Sequence, residues 1–447
     1  MHIQVNVSAS EATKFEFAKV QLECRELGLT SHLDFDFLTL RNSCGIPSNI
    51  ALDFLFIATI VYSADKLIPR RSAQDNWTRE MEMDLPVENV SIWNRVKDEL
   101  QAMLSFLTGD YWSFNFYNLN CNLNRPKNSS RNTTNSLDAN TVSLFSGGLD
   151  SLIGAINWLE ANRTGNIILA SHYDPRVPGP LSDQNALLEV LKPIYGERIK
   201  SLQIKVGQYP SGRETTFRSR SILFIALGIY TACSISQNTP LIIPENGTIA
   251  LNVPLTPSRR GSCSTRTTHP FLLSSIRSIL NNIGIINPIS NPYEYKTKGE
   301  CVEECLNRTA LIEAIQRSRS CAKSGHTRNW INRGAKGCGR CMPCIYRRAA
   351  LHKLNLDTEV YGRDICSGEV DLESTKLSAI DFRACVDFLK RDFPRERIAR
   401  MLLSNGKVEI ASLLEYTDVV SRAMDEIRVL IRDKANENIK RRCGIHD

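Results

Sequence analysis

The residues with the clearest chemical potential are the six at positions 146–151, which read Ser-Gly-Gly-Leu-Asp-Ser. They follow an apolar segment and precede one with helical periodicity, which predicts a strand-to-helix turn. Two glycines let the backbone approach an anion, and free amides at a helix start attract phosphate. Ser146 and Ser151 add hydroxyl donors, and Asp150 suits Mg²⁺ that bridges phosphate oxygens. The alternative is a plain turn with a Ser or Asp cap. A Walker loop is excluded because no Gly-Lys-Ser/Thr follows.

Four cysteines form the second group with a chemical spacing. They are Cys321, Cys338, Cys341 and Cys344, and two residues separate each of the last three. Four thiolates suit a tetrahedral zinc ion in a closed, structural site. An iron–sulfur cluster uses the same ligands and stays open as an alternative. His326 lies between the first two cysteines and is interpreted as a loop residue rather than a replacement ligand.

The elements that must position these residues alternate between strand and helix. Apolar strands are predicted at 141–145, 166–171, 199–206 and 241–243, and helices at 151–162, 182–191 and 216–236. This rhythm favours a parallel sheet covered by helices, with ligands at the carboxyl ends of the strands. Asp174 and Asp183, which follow the second strand, are interpreted as solvated loop charges.

Composition shifts along the chain predict its domains. Residues 1–125 are expected to form an accessory α+β domain, with strands at 3–7 and 111–117, a buried strand or segment at 50–61 and helical spacing over 87–107. The Asn/Ser/Thr-rich stretch 126–140 is typical of a linker. We expect the catalytic domain at 141–360 and a charged helical region at 361–447.

Overall composition limits the classes of function. A net charge of +7 over 447 residues fits phosphate ligands or acidic partners but does not demonstrate nucleic-acid binding, and nucleic acid is not expected as a direct ligand. The sequence has no apolar run of about 18 residues, so no membrane span is expected. Six of the fourteen cysteines fall between Cys301 and Cys344, which favours metal binding over disulfides. The pattern therefore predicts a reducing, cytoplasmic compartment.

Residues 146–151 resemble the SGGxDS signature of the PP-loop ATP pyrophosphatases. That family cleaves ATP between its α and β phosphates and adenylates its substrates. The resemblance implies an adenine-nucleotide α-hydrolase-like, Rossmann-like α/β fold with a parallel sheet. The alternative of a tRNA-modifying PP-loop enzyme stays open.

Further motifs, over about residues 141–355, resemble the 7-cyano-7-deazaguanine synthase (QueC) family. They are the four cysteines followed by Arg347 and Arg348, the helix start Lys298-Gly299-Glu300, the pair His172-Tyr173 after a strand, and Thr216-Phe217-Arg218-Ser219. Family members activate 7-carboxy-7-deazaguanine as an acyl adenylate, and ammonia then displaces AMP. The resemblance implies an ATP-dependent C–N ligase with a deazaguanine-type ligand.

Departures from the classical family point to one branch of it. Ser219 replaces an asparagine, and Pro244-Glu245-Asn246 replaces an Asp-containing substrate loop. The extra N-terminal domain and the longer C-terminus resemble the QueC-like proteins of bacterial anti-phage operons, those of the Qat system in particular. The resemblance implies a role in defence beside proteins of the same operon. The activated base could also be joined to a partner protein's amine.

The motifs and the resemblance together give a set of site residues. Predicted to bind ATP and Mg²⁺ are Ser146, Gly147, Gly148, Asp150, Ser151, His172, Tyr173, Arg218 and Lys298, of which Ser146, Asp150 and Arg218 are assigned to catalysis. Predicted to contact the substrate are Glu245 and Asn246 after the fourth strand, and Arg266 and His269 in a Ser/Thr-rich loop. The alternatives are a Pro-x-Asn-Gly turn for the first pair and a basic loop without a ligand for the second.

Overall fold

The computed structural model describes residues 1–9, 17–124, 137–214, 218–256, 266–324, 327–373, 379–391 and 393–445. Most of the predicted linker, His326 and the Thr216-Phe217 part of one family motif lie outside these residues. The strands are β1 His2–Ser8, β2 Lys19–Cys24, β3 Leu29–Phe35, β4 Glu80–Val87, β5 Tyr111–Asn118, β6 Thr141–Leu144, β7 Ile167–Tyr173, β8 Ile199–Tyr209, β9 Leu241–Ile242 and β10 Ile289–Ser290.

The helices surround these strands and make up most of the C-terminal part. They are α1 Phe37–Cys44, α2 Asn49–Leu67, α3 Val90–Arg95, α4 Lys97–Thr108, α5 Leu149–Ala161, α6 Pro180–Tyr195, α7 Arg220–Ile235, α8 Gly247–Leu251, α9 Pro270–Asn282, α10 Lys298–Glu303, α11 Arg308–Ile315, α12 Met342–His352, α13 Ile380–Arg391, α14 Arg395–Asn405, α15 Leu413–Lys434 and α16 Glu437–Arg442. None of the described helices is both long and apolar enough to cross a membrane.

One ten-stranded, mostly parallel sheet runs through the described chain, in the order β10-β9-β6-β7-β8-β3-β2-β1-β4-β5. The predicted parallel strands β9, β6, β7 and β8 are adjacent and parallel. Strands from residues 1–125 continue the same sheet, because β3 pairs antiparallel with β8. The mixed α/β architecture is therefore confirmed. The domain boundaries stay a prediction, although the sheet runs across them.

Helix α2 lies in the contact between the N-terminal and central regions. Its 19 residues are apolar on every side, and all but three are buried. A helix that is apolar all round is stable only inside a protein, and α2 packs against α7 of the central region. The expectation of a buried segment at 50–61 is confirmed, whereas the strand alternative is wrong. The apolar run exceeds the usual four to eight residues of a strand, and this length favours a helix.

Candidate active-site cavity and metal centre

The predicted phosphate loop joins β6 to α5 at the carboxyl end of β6, between β9 and β7 in the sheet. Gly147 has a φ of +86°, a conformation that side chains other than glycine rarely adopt. A Cβ on Gly148 would lie 3.2 Å from the Arg319 carbonyl oxygen, so the backbone is closely packed there. The Ser146 hydroxyl lies 3.4 Å from that of Ser151, and both are near the amides that begin α5. The loop thus has the strand-to-helix context that phosphate binding requires.

Asp150 lies in the first turn of α5 and is held by two donors from distant segments. Lys298 Nζ lies 2.7 Å from each carboxylate oxygen of Asp150, and Asn246 Nδ2 donates to Oδ2 at 2.8 Å. Lys298 is only 3% exposed. The structure therefore joins three of the predicted site residues in one buried ionic contact.

Glu245 adds a second carboxyl group to this contact. It follows β9, and its carboxyl group is close enough to the Asp150 carboxylate for the two to interact. Burial, and after it the negative charge of Asp150, raise the pKa of Glu245 well above its ordinary value. Asn246 Oδ1 accepts the Ile249 amide and caps α8, so both ends of its side chain are engaged within the protein. Asn246 is thus placed to position Asp150, whereas Glu245 lines a cavity.

Lys298 owes its position to the helix that it begins. Thr297 caps α10 and forms a reciprocal capping box with Glu300. Glu426, from α15, accepts hydrogen bonds from the Thr297 hydroxyl and the Gly299 amide. A Cβ on Gly299 would overlap the Glu426 carboxylate, so any larger residue would require this side chain to move. Burial raises the pKa of Glu426 to about 7. The C-terminal helical region thereby supports the lysine that contacts Asp150.

The interpretation of Asp174 and Asp183 as solvated loop charges is wrong. Asp174 is 5% exposed and pairs with Lys66 of α2 at 2.6 Å. Asp183 pairs with Arg319 at 2.9 Å and packs against Gly147. Burial raises the pKa of Asp183, although Arg319 opposes the shift. Loop spacing could not reveal these roles, because the cationic partners lie more than a hundred residues away.

Arg218 lies just before α7, against the N-terminal region. Its Nη1 donates to the Thr108 carbonyl at 2.7 Å, and its Cζ lies 4.7 Å from the centroid of the Trp77 ring. Burial, followed by the neighbouring Arg70 guanidinium, lowers the pKa of Arg218 to about 10. Arg218 remains a cation at neutral pH, as an anion-binding role requires.

Next to Arg218, a buried ion network fixes the N-terminal region to α7. Arg70 forms two hydrogen bonds to Asp110, at 2.9 and 2.8 Å. Arg79, which is fully buried, contacts both Asp110 and Asp65. The Ser219 hydroxyl donates to Asp65 at 2.5 Å. Each buried charge therefore has a partner, as burial in a low-dielectric interior demands.

His172 and Tyr173 end β7, as the motif predicts, but the two differ in environment. His172 is 1% exposed, and its ring centroid lies 4.4 Å from that of Phe224. Its Nε2 accepts a hydrogen bond from Arg220 Nε at 3.3 Å. Burial, reinforced by Arg220 and Lys66, lowers the pKa of His172 well below its ordinary value. His172 is therefore a neutral acceptor that orients Arg220. Tyr173 is partly exposed.

A cavity of about 670 Å³ brings many of these residues together. Its volume is within the usual range for small-molecule sites. Predicted residues on its wall are Ser146, Ser151, Arg218 and Glu245. Also on the wall are Arg70, Trp77, Glu214 and Arg220, together with residues 321–324, which include the first cysteine of the cluster.

Arg266 and His269 are not among the residues that line this cavity, and both contact Phe106. Arg266 Nη1 donates to the Phe106 carbonyl at 2.8 Å, and the His269 ring lies 5.1 Å from the Phe106 ring between centroids. His269 Nδ1 caps α9 by accepting the Phe271 amide, and burial with Arg266 lowers its pKa to about 4. Residues 267 and 268 line the cavity instead. Residues 257–265 of the same loop lie outside the described part of the chain.

The four predicted cysteines converge into a cluster that could hold a metal ion such as zinc. Their sulfur atoms all lie within 4.8 Å of one another. The Sγ atoms of Cys338 and Cys344 are 3.9 Å apart, close to the separation of about 3.8 Å that tetrahedral Zn–S bonds of about 2.3 Å impose. Hydrogen bonds with the other three thiols, Cys321 first, lower the pKa of Cys338.

The backbone is also arranged for thiolate ligands. The amides of Lys323 and Cys338 both donate to Cys321 Sγ at 3.3 Å, and that of Cys341 donates to Cys338 Sγ at 3.3 Å. Such donors stabilise negative sulfur. Gly339 has a φ of +75° and a Cβ there would lie 2.1 Å from the Arg363 carbonyl oxygen. The donor set and its support therefore fit a zinc ion.

The sequence reasoning missed Arg70 and Trp77 as cavity residues. A turn signal existed, because Asp75 lies two residues before Trp77 and accepts its amide at 2.8 Å. No spacing rule connects that turn to a loop seventy residues later.

Compared with known proteins, the chain matches no protein-family model, no curated protein and no solved structure.

Proposed function

We propose that this chain is a QueC-like PP-loop ATP pyrophosphatase, which adenylates a carboxylate and passes the acyl group to an amine. The observation that carries the proposal is the Ser146–Ser151 loop at the carboxyl end of β6, where Ser146 and Ser151 line the cavity. Asp150, buried behind them, pairs with Lys298. A glycine-rich loop, a helix start and a buried cation suit a polyphosphate.

In the proposed reaction, a carboxylate oxygen of the substrate attacks the α-phosphorus of ATP. The bond from this phosphorus to the bridging oxygen breaks, and pyrophosphate leaves with the electron pair. An amine then attacks the acyl carbon, AMP leaves, and the amine loses its proton. Amides at the start of α5 and the Ser146 and Ser151 hydroxyls would stabilise the charge that develops on pyrophosphate.

Magnesium fits this site through oxygen donors. Asp150 and Glu245 offer two adjacent carboxyl groups beside one described cation, Lys298, and a bound cation would favour the charged form of Glu245, which the raised pKa otherwise keeps protonated. Carboxylate oxygens are the protein ligands that Mg²⁺ prefers, and these two residues would hold it. When bound, the ion would neutralise charge on the phosphates. Lys298 would then keep Asp150 oriented.

The experiment is ATP turnover by the purified protein with 7-carboxy-7-deazaguanine, resolving AMP and pyrophosphate from ADP and phosphate. We expect AMP and pyrophosphate that depend on the base, and their loss in Asp150→Asn. Lys296→Met, which changes an exposed lysine near the same helix, should keep the activity. Formation of ADP, or equal turnover by Asp150→Asn, would overturn the proposal. The defence role and a protein acceptor stay predictions.

A further inference from the structure

The N-terminal region contributes an aromatic side chain to the cavity. Trp77 is 37% exposed, more than any other of the five tryptophans, and it lies on the cavity wall. Arg70, from the same region, lines the cavity beside it. An exposed indole inside a cavity is unusual for packing alone, because this large ring is normally well buried.

The backbone of Trp77 is fixed on both sides. Its amide donates to Asp75 Oδ1 at 2.8 Å, and its carbonyl accepts from Arg70 Nη1 at 2.6 Å. Asp110, which is 1% exposed, holds the same Arg70 guanidinium by two hydrogen bonds. The backbone that carries the exposed ring is therefore held by a buried ion pair, which limits the positions that the ring can take before a ligand binds.

The charge around the ring selects the kind of ligand. Arg218 Cζ lies 4.7 Å and Arg70 Cζ 5.2 Å from the centroid of the Trp77 ring. Both Nη atoms of Arg70 donate to Asp110 and to backbone carbonyls, so that residue serves mainly to fix the wall. Arg218 donates to the Thr108 carbonyl and also lines the cavity as a cation. A planar group with a negative charge matches this pair.

We infer that Trp77 and Arg218 form the substrate subsite, in which the indole stacks on a planar heterocycle and the guanidinium binds its carboxylate. This inference rests on the proposed function and assigns the phosphate loop to the nucleotide. It makes Trp77 a specificity-determining residue supplied by residues 1–124. Residues of the N-terminal region therefore complete the wall of the cavity.

Equilibrium binding by titration calorimetry tests the inference separately from turnover. The ligands are 7-carboxy-7-deazaguanine, its uncharged relative 7-deazaguanine, and a non-hydrolysable ATP analogue. In Trp77→Ala, binding of the carboxylated base should weaken about tenfold, the order expected for losing one base–aromatic stack. Trp77→Phe should recover most of the affinity. The affinity of Trp77→Ala for the ATP analogue should stay within about twofold of that of the unchanged protein, because the lost ring stacks on the base and not on the nucleotide.

The matched control is Tyr111→Ala, which removes an aromatic side chain that is 66% exposed on β5 and outside the cavity wall. It should leave both affinities unchanged. Equal binding of the base by Trp77→Ala, failure of the unchanged protein to bind it, or a loss confined to the ATP analogue would each overturn the inference. Normal base binding that depends on Trp77 without AMP formation would instead overturn the proposed reaction and leave the subsite standing.

Discussion

Removal of the Lys298 ammonium tests the buried contact at Asp150 most directly. Lys298→Met keeps the length and apolar stem of the side chain but deletes the charge that lies 2.7 Å from both Asp150 oxygens. The variant leaves two neighbouring carboxyl groups, those of Asp150 and Glu245, without this cation. Loss of one partner from a buried ion pair costs about 3–5 kcal/mol. We expect the free energy of unfolding to fall by that amount.

The matched control is Lys296→Met, two residues earlier. Lys296 pairs with Glu304 on the surface, where its side chain is 37% exposed. Surface ion pairs contribute at most about 1 kcal/mol, so this variant should unfold almost as the unchanged protein does. Both free energies come from urea unfolding followed by circular dichroism. The difference between the two variants isolates the effect of burial from that of losing a lysine.

A double variant, Lys298→Met with Asp150→Asn, completes the thermodynamic cycle. Asparagine has no charge to leave unpaired, so the second change should recover at least about 1 kcal/mol relative to additivity. The pH dependence of the free energy of unfolding also has a definite sign. Glu245 has a folded pKa above its unfolded value of about 4.3, so its contribution is complete at acid pH and is lost as pH rises towards the folded pKa. Additive variants, or a Lys298→Met cost no larger than that of the control, would refute this geometry.

Three other predictions follow from separate parts of the structure. Cys341→Ser should abolish binding of one zinc per chain, measured by elemental analysis, whereas Cys121→Ser, outside the cluster, should retain it. Gly299→Ala should destabilise the chain by roughly 1–3 kcal/mol in urea unfolding, since its Cβ would overlap Glu426. His269, whose folded pKa of about 4 is depressed, contributes stability that is present above its unfolded pKa of about 6.5 and is lost as pH falls towards 4. His269→Asn retains a capping side chain and should flatten the thermal stability profile between those pH values.

Local patterns in the sequence predict much of the central region. Alternation of apolar strands and helices gives β6 to β9 and α5 to α7 with ends within a few residues, because each element has its own hydrophobic period. The phosphate loop and the cysteine cluster are also local, since the largest gap within either is the 17 positions from Cys321 to Cys338. The turn of 146–151 and the convergence of the four thiols follow from that spacing.

Longer-range features could not be predicted in the same way. Nothing in the sequence near Asp150 identifies Lys298 as its partner, and only a family resemblance singled out that lysine. The pairing of β3 with β8 depends on two strands about 170 residues apart, and single-strand periodicity does not encode a neighbour. The sequence predicts His269 as a substrate contact because it is polar in a polar loop, and only the structure shows that its ring also serves as a helix cap. Tertiary contacts decide such roles.

The same contacts explain why the N-terminal region belongs to the site. Ser31, beside the register of β3 and β8, donates to the Pro210 carbonyl at 2.7 Å, and the Arg70 amide donates to Glu214 at 2.8 Å. Both bonds tie residues 1–124 to the segment between β8 and α7, from which Arg218 and Arg220 reach the cavity. A shared sheet, a shared apolar core and the largely buried ion pair of Lys66 with Asp174 across the junction all oppose independent movement. The cavity wall that carries Trp77 is therefore held in fixed relation to the phosphate loop, as selection of a substrate by shape requires.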